Sequence, residues 1–153
     1  MSLAATLHTD GGARGNPGPA GIGVVLRSTD GRLLGEIARG IGVGTNNWAE
    51  YTALIEGLEL ALANEVTEID AYLDSKLVVS QVRGEWKIKH AALKPLAIKA
   101  HSLLRRFERY SLNHVRREEN ADADALANQG MDNAASDPDF GGSPSWDQGS
   151  FLD

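Results

Sequence analysis

The 153-residue chain contains no cysteine. This excludes disulfide bonds, thiolate zinc sites and cysteine nucleophiles, and it fits a reducing compartment. The chain also lacks an apolar run near the roughly 18 residues of a membrane span, and its N-terminus lacks a basic region followed by an apolar one. We therefore expect a soluble, cytoplasmic protein. Its length suits one ordinary domain with its own core.

Basic residues are scarce at the C-terminal end, where residues 131–153 hold five aspartates and no Lys or Arg. Most of the net charge of −6 therefore belongs to this segment, because residues 1–130 hold 16 acids against all 15 bases. The balance inverts within residues 76–117, which contain eleven Lys or Arg and two Glu. A basic segment beside an acidic cluster suits a metal-dependent enzyme acting on a polyanion, although a solvated helix face would have the same composition.

Hydrophobic periodicity predicts an α/β domain. Three strands come first, at residues 3–9, 21–28 and 32–41, with a hairpin turn at Asp30-Gly31. The later helices are predicted from about Asn47, over 75–82, over 93–107 and over 121–128, and the later strands over 67–73 and 111–115. A helix leading into the strand at 67–73 indicates a crossover connection and hence a parallel pair of strands.

The stretch from Leu7 to Ala20 is the most informative part of the chain. Its alternating strand pattern leads into Asp10, which we expect to end the strand, and a glycine- and proline-rich segment follows. Glycine has no Cβ, so such a turn can bring bare backbone close to a ligand. Taken alone, Asp10 could equally be a turn-starting aspartate.

Three further acids stand at the ends of other predicted elements. Glu50 follows Asn47 by three residues, as in a capping box, whereas Asp74 and Asp124 lie at or near helix starts where acids favour the macrodipole. Each alone is explained by capping. Together, however, Asp10 and Asp74 would end two strands at the edge where open α/β sheets bind ligands, and Glu50 and Asp124 would reach that place from helix N-termini.

Four carboxylates in one place raise one another's pKa unless a counter-charge is present. Divalent metal would supply that charge, since Mg²⁺ prefers hard oxygen ligands and retains several waters. Two such ions about 3.5–4 Å apart can activate water and stabilise the leaving oxygen of a phosphodiester.

The order of these motifs resembles that of type 1 ribonucleases H. The similar segments are Thr9-Asp10-Gly11 with Gly15-Asn16-Pro17-Gly18-Pro19, Thr45-Asn46-Asn47-x-Ala49-Glu50, Leu73-Asp74-Ser75, and Glu119-Asn120-x-x-x-Asp124-x-Leu126-Ala127-Asn128. They extend over about residues 3–130. The resemblance implies a five-stranded mixed sheet of order 3-2-1-4-5, with strand 2 antiparallel, flanked by helices. It also implies hydrolysis of the RNA strand of RNA·DNA hybrids to 5′-phosphate and 3′-hydroxyl ends.

By the same resemblance, the four acids are both the catalytic residues and the ligands of two Mg²⁺ ions, for which Mn²⁺ can substitute. These acids are Asp10, Glu50, Asp74 and Asp124. Asp122 is left out, because its spacing from Leu126-Ala127 differs from the family's.

Hybrid recognition is expected at the glycine-rich turn, the segment before Glu50 and a loop around Trp86. RNA is told from DNA by its 2′-hydroxyl, which backbone groups and amide side chains can bind. The resemblance implies that Thr45 and Arg14 lie near a DNA phosphate and that an aromatic packs beside the DNA strand. The expected contacts are Gly11, Gly12, Arg14, Asn16, Thr45, Asn46, Asn47, Lys76, Trp86, Lys87 and Lys89. The alternatives are local turn bonding and capping for the asparagines, and a core or half-buried position for Trp86.

The chain departs from many family members in three places. It lacks an extra basic helix after the tryptophan region, it has Lys76 where glutamine is common, and it lacks a histidine on the loop before the last helix. His114 lies too early, on a strand, so Arg117 or Glu118 is the expected assistant unless the metals suffice.

Two other functions remain open at this point. One is a junction resolvase or exonuclease of the same architecture, although such relatives need not have the Gly15–Pro19 loop with Asn46 and Asn47. The other is a module that binds hybrid or double-stranded RNA without turnover. The loss of one of the four acids from the sequence would indicate such a module.

The domain is expected to span residues 1–130 and to be monomeric. Residues 131–153 are rich in Asp, Asn, Gly, Ser and Pro without periodicity, which predicts a disordered tail or linker. Some compact ribonucleases H are fused to a phosphatase-like domain, so fusion to a further C-terminal domain is one arrangement that the resemblance leaves open.

Overall fold

Five strands and four α-helices follow one another along the chain in a computed structural model, which describes residues 2–136. The strands are β1 (Ala4–Ala13), β2 (Gly18–Ser28), β3 (Leu33–Gly44), β4 (Glu68–Leu73) and β5 (Arg109–His114). The helices are α1 (Asn46–Ala63), α2 (Lys76–Val82), α3 (Lys94–Leu104) and α4 (Ala121–Ser136), with 3₁₀ turns at Ala91–Leu93 and Arg117–Asn120.

The strands form one mixed sheet of order β3-β2-β1-β4-β5. β2 runs antiparallel to both β1 and β3, whereas β1, β4 and β5 run parallel. This confirms the predicted order. It places the carboxyl ends of β1, β4 and β5 at one edge of the sheet.

The end of β1 differs from the prediction. The strand does not end at Asp10, because β2 continues to pair with it as far as Ala13, opposite Ala20. The parallel ladder with β4, however, stops at Thr9 and Leu73. Asp10 is therefore the first residue of β1 without a β4 partner, and it lies where the sheet opens.

The two faces of the sheet are covered by different helices. α1 packs on the face that carries Leu7, and its Tyr51, Leu54 and Leu58 are buried there. α4 packs on the opposite face of β2 and β3, against glycines. A Cβ on Gly23 would lie 2.1 Å from the Ala123 oxygen. The glycines of β2 therefore allow the backbones of α4 and the sheet to touch.

α4 is longer than predicted. It runs to Ser136 rather than to Asn128, and Met131 and Ala134 are buried, Ala134 beside Gly40 of β3. The first six residues of the predicted tail are thus helical, and residues 137–153 lie outside the described part of the chain. No helix within residues 2–136 combines the length and hydrophobicity that crossing a membrane requires.

Candidate active site

Three carboxylates from separate elements converge at the opening of the sheet. Asp10 lies on β1, Glu50 in the first half of α1, and Asp74 directly after β4. One carboxylate oxygen from each lies within 4.8 Å of the others. The structure thus brings together three of the four predicted acids in a set of hard oxygen donors, which is the chemistry that Mg²⁺ requires.

The Glu50 side chain bonds to β1 and takes no part in capping α1. The N-cap of α1 is Thr45, whose hydroxyl oxygen accepts a hydrogen bond from the Trp48 backbone N–H at 3.2 Å. Glu50 instead accepts a 2.7 Å hydrogen bond from the Gly11 backbone N–H. The capping-box explanation for Glu50 is therefore wrong.

Gly11 makes this contact possible. A Cβ at this position would lie 2.3 Å from the Ala49 carbonyl oxygen, so β1 and α1 meet backbone to backbone. A glycine is needed here because of this close approach.

Asp74 is likewise not a helix cap. The cap of α2 is Ser75, whose Oγ accepts a 3.2 Å hydrogen bond from the Val78 backbone N–H. The Asp74 carboxylate faces Asp10 instead, where it contributes to the electrostatics described below.

Asp124 stands beside this cluster on α4. Its side chain interacts with Asp10, and Arg117 Nη2 lies 3.3 Å from its Oδ1. The start of α4 is tied to β1, because Asn120 Nδ2 donates a 2.9 Å hydrogen bond to the Thr9 carbonyl oxygen, one residue before Asp10. All four predicted acids are therefore neighbours.

The acids perturb one another strongly. Burial, followed by the nearby carboxylates of Asp74 and Asp124, raises the pKa of Asp10 to about 8. Burial, then Asp10 and Asp74, raises the pKa of Glu50 well above its usual value, against a smaller opposing effect of the Gly11 hydrogen bond. Without a counter-charge, Asp10 therefore favours its protonated form at neutral pH, and the pKa of Glu50 is shifted in the same direction.

A cavity of about 570 Å³ opens over the acids. Of the residues predicted to contact a hybrid or assist the reaction, it is lined by Gly11, Gly12, Arg14, Asn46, Asn47 and Arg117. Glu118 is not brought there. It lines a separate cavity of about 210 Å³ with Asp122, the acid that the motif spacing had excluded.

Two hydrogen bonds between distant segments of the chain shape the rim of the acid cavity. Asn16 Oδ1 accepts a 3.0 Å bond from the Asn46 backbone N–H, and Asn46 Oδ1 accepts a 2.8 Å bond from the Ala13 backbone N–H. Neither bond uses a side-chain amide nitrogen. Thr45 is buried as the cap of α1. Both asparagine oxygens therefore join the segment around the end of β1 to the start of α1, across 30 and 33 residues of sequence, so neither bond is the local turn bond that was the alternative explanation.

Arg14 spans from the end of β1 to α4. Its guanidinium forms an ion pair with Asp132, and its Nη2 lies 3.4 Å from the Asn128 carbonyl oxygen. The residues beyond the predicted helix end thus help to form the rim.

A second groove, of about 500 Å³, contains the tryptophan loop. It is lined by Asn47, Leu77, Gln81, Glu85, Trp86, Lys87, Lys89 and His90. Trp86 is 44% exposed, which excludes a core position but matches the half-buried one, and the Lys76 ammonium lies 5.8 Å from its ring centroid. Asn47 lines both cavities, so the groove adjoins the acid site.

The structure also adds residues that the sequence analysis missed. His114, Arg116, Asn128 and Met131 line the acid cavity. His114 was judged too early in the chain, yet it pairs with Leu73, next to Asp74, at the end of β5. The parallel register of β4 and β5 was the signal that could have identified it.

Comparison with known proteins gives consistent matches. A family model described as reverse transcriptase-like matches residues 8–130. The bifunctional protein Rv2228c of Mycobacterium tuberculosis is 47% identical over 130 residues, which cover 84% of this chain and 36% of that protein. Ribonuclease HI of Halobacterium salinarum is 45% identical over 127 residues, which cover 83% and 64%. The chain thus spans about a third of the length of Rv2228c and of two further mycobacterial relatives.

Solved structures agree with these matches. The N-terminal RNase H domain of Rv2228c superposes with a TM-score of 0.84 at 46% identity, covering 88% of this chain and 97% of that one. LC11-RNase H1 in complex with an RNA/DNA hybrid gives a TM-score of 0.79 at 42% identity, covering 86% and 99%. With the sheet order and the acid cluster in place, the chain belongs to the ribonuclease H family, in its type 1 branch.

Proposed function

We propose that this chain is a metal-dependent endonuclease that hydrolyses the RNA strand of RNA·DNA hybrids, leaving 5′-phosphate and 3′-hydroxyl ends. The observation that carries the proposal is the convergence of Asp10, Glu50 and Asp74 within 4.8 Å. The hybrid bound to LC11-RNase H1 supports the substrate class.

The four acids are the proposed ligands of two Mg²⁺ ions, with Mn²⁺ as a substitute. Asp10, Glu50 and Asp74 supply the converging oxygens, and Asp124 completes the set from α4. Bound divalent ions supply Lewis-acid chemistry and neutralise charge on the phosphate. Their positive charge would also offset the repulsion between the carboxylates, which must be ionised to bind a metal.

The surrounding residues would hold the hybrid across two adjoining grooves. Backbone groups of Gly11 and Gly12, with the amides of Asn16, Asn46 and Asn47, suit the 2′-hydroxyls of the RNA strand. Lys76, Trp86, Lys87 and Lys89 suit the sugar-phosphate backbone of the DNA strand, where an aromatic surface and cations are favourable.

Arg14, Thr45 and Arg117 have more specific proposed roles. Arg14 would offer its guanidinium to a phosphate at the rim, and Thr45 would act mainly by fixing the start of α1. Arg117 would orient Asp124 through their 3.3 Å contact. Glu118 is assigned no role in the reaction, because it lines the other cavity.

The competing functions are less well supported. A binding module that had lost turnover would have no need for four neighbouring acids, two of which have strongly raised pKa values. A resolvase or exonuclease would not require the rim in which Asn16 bonds to Asn46. We also propose that the natural protein continues past residue 153, with residues 137–153 as a linker, because the Rv2228c relative is bifunctional and much longer.

The test is cleavage of a labelled RNA·DNA hybrid in Mg²⁺ and in Mn²⁺, beside single-stranded RNA, duplex RNA and duplex DNA. We expect cutting of the hybrid's RNA strand alone, with products that ligate through a 5′-phosphate. EDTA, Asp10→Asn or Asp124→Asn should abolish or strongly reduce it. Asp122→Asn is the matched control, because this acid lies two residues from Asp124 but lines the other cavity.

Hybrid binding without cutting in either metal would overturn the nuclease assignment and leave the binding module. Equal loss of activity in Asp122→Asn and Asp124→Asn would contradict the assignment of the fourth acid.

A further inference from the structure

The four histidines of the chain occupy four different surroundings. His8 lines the cavity that contains Asp122, His90 lines the tryptophan groove, and His101 lines a groove beside Tyr110. His114 alone among them lines the acid cavity, and its side chain is exposed. It is therefore accessible to a substrate that reaches the carboxylates.

The sheet fixes the position of His114. Its backbone pairs with Leu73, and the next residue, Val115, donates a 2.8 Å hydrogen bond from its backbone N–H to the Leu73 carbonyl oxygen. Neighbouring strands lie about 4.8 Å apart, so this distance separates the backbone of His114 from that of Leu73. Leu73 immediately precedes Asp74. His114 is thus held on a rigid element beside the acid cluster, rather than on a loop.

The residue that donates a proton to the leaving 3′-oxygen during hydrolysis has not yet been assigned. A 3′-alkoxide is a poor leaving group, and a proton donor placed at that oxygen assists its departure. The carboxylates must be ionised to hold cations, and the guanidinium of an arginine does not give up a proton in proteins. Among the described residues that line the cavity and are not proposed metal ligands, only His114 has a side chain of a type that commonly acts as a general acid.

We propose that His114 is a catalytic residue of this site, the general acid that protonates the leaving 3′-oxygen. In this step, the oxygen of a water molecule forms the new bond to phosphorus while the bond from phosphorus to the 3′-oxygen breaks. The electron pair of that bond goes to the 3′-oxygen, which takes a proton from the imidazolium of His114. The proton lost by the water passes to solvent, from which His114 is reprotonated.

This proposal rests on the proposed nuclease function, and a change of leaving atom tests it separately. The substrates are two hybrids that differ at a single scissile position, where the 3′-oxygen is replaced by sulfur in one of them. A thiolate leaves without protonation, so the sulfur hybrid needs no general acid. The rates are measured in Mg²⁺ under single-turnover conditions, which separates the chemical step from product release.

We expect His114→Ala and His114→Gln to slow cleavage of the oxygen hybrid by about 10²-fold or more. On the sulfur hybrid, the ratio of wild-type to variant rates should fall to near one. His101→Ala is the matched control, since this histidine lies on α3 in a different groove, and it should leave both rates unchanged. Thermal unfolding of each variant checks that it is folded, and the glutamine variant preserves polarity if the alanine variant is unstable.

Two results would overturn the proposal. Equal losses on the oxygen and sulfur hybrids would show that His114 binds substrate or supports the structure rather than donating a proton. Unchanged rates on both would show that it has no part in the reaction. Failure of the wild-type protein to cut either hybrid would instead refute the proposed function itself.

Discussion

At the scale of single residues, Asp10 combines a functional position with a cost in stability. Its pKa is raised to about 8, whereas an aspartate in an unfolded chain titrates near 4. Between these values the folded protein binds more protons than the unfolded chain, so the free energy of unfolding falls as the pH rises. The raised pKa of Glu50 acts in the same direction.

Asp10→Asn should therefore stabilise the metal-free protein at high pH. Asparagine has the shape of the protonated acid but cannot ionise, so the variant and the wild type should have similar Tm values near pH 5. At pH 9 in EDTA, the variant should melt several degrees higher. Thermal melts at both values check this. Mg²⁺ should raise the Tm of the wild type at pH 9 much more than that of the variant.

Asp122→Asn is the control, because Asp122 lies outside the acid cluster. A lower Tm for Asp10→Asn at pH 9 would contradict the pKa assigned to Asp10.

At the scale of elements, α4 both covers the sheet and forms part of the site. Its backbone lies against Gly21 and Gly23, and a Cβ on Gly21 would meet the Met131 nitrogen at 2.3 Å. The same helix carries Asp124 near its start and Asp132, the partner of Arg14, near its end. Shortening α4 should therefore affect stability as well as the rim of the cavity.

Two truncations separate the helical residues from those that follow. Deletion of residues 131–153 removes Met131 and Ala134, which are buried, and should cost about 2–4 kcal/mol of unfolding free energy. Deletion of residues 137–153 leaves the described helix complete and should change little. Chemical denaturation of both proteins measures the difference. Equal stabilities for the two would show that the last six residues of α4 contribute nothing.

At the scale of the whole molecule, charge is divided between the site and its surroundings. The acid cavity adjoins a groove that carries Lys87 and Lys89, on a chain whose net charge is −6. Binding of a polyanion therefore depends on a local basic surface rather than on net charge, and it should weaken steeply with salt.

The double variant Lys87→Gln/Lys89→Gln should bind a hybrid more weakly and with a smaller salt dependence. If both lysines contact phosphates, the negative slope of log K against log salt should become less negative by about 2. Titrations of inactive Asp10→Asn protein at several salt concentrations measure this slope. The charge-matched control is Arg105→Gln/Arg106→Gln, because these residues follow α3 and line neither the acid cavity nor the tryptophan groove. Equal slopes for the two double variants would place the DNA strand elsewhere.

Much of the fold could be predicted because its signals are local. Alternating residues identified β1, helical spacing identified α1, and the chain order of the four acids identified the family. The ends of elements were less certain. α4 continued past Asn128 because Met131 is buried against β1 and β2 and Ala134 against β3. A polar, glycine-containing sequence does not show those contacts.

The sequence by itself determined which acids lie close together, since the motifs that contain Asp10, Glu50, Asp74 and Asp124 follow one another in a recognisable order. Only the tertiary structure decided what each side chain contacts. The Gly11 backbone N–H binds the Glu50 carboxylate, and Ser75 caps α2 in place of Asp74. The parallel register of β4 and β5 places His114 at the cavity. The physical reason is that these contacts join elements far apart in the chain, so no local pattern of residues encodes them.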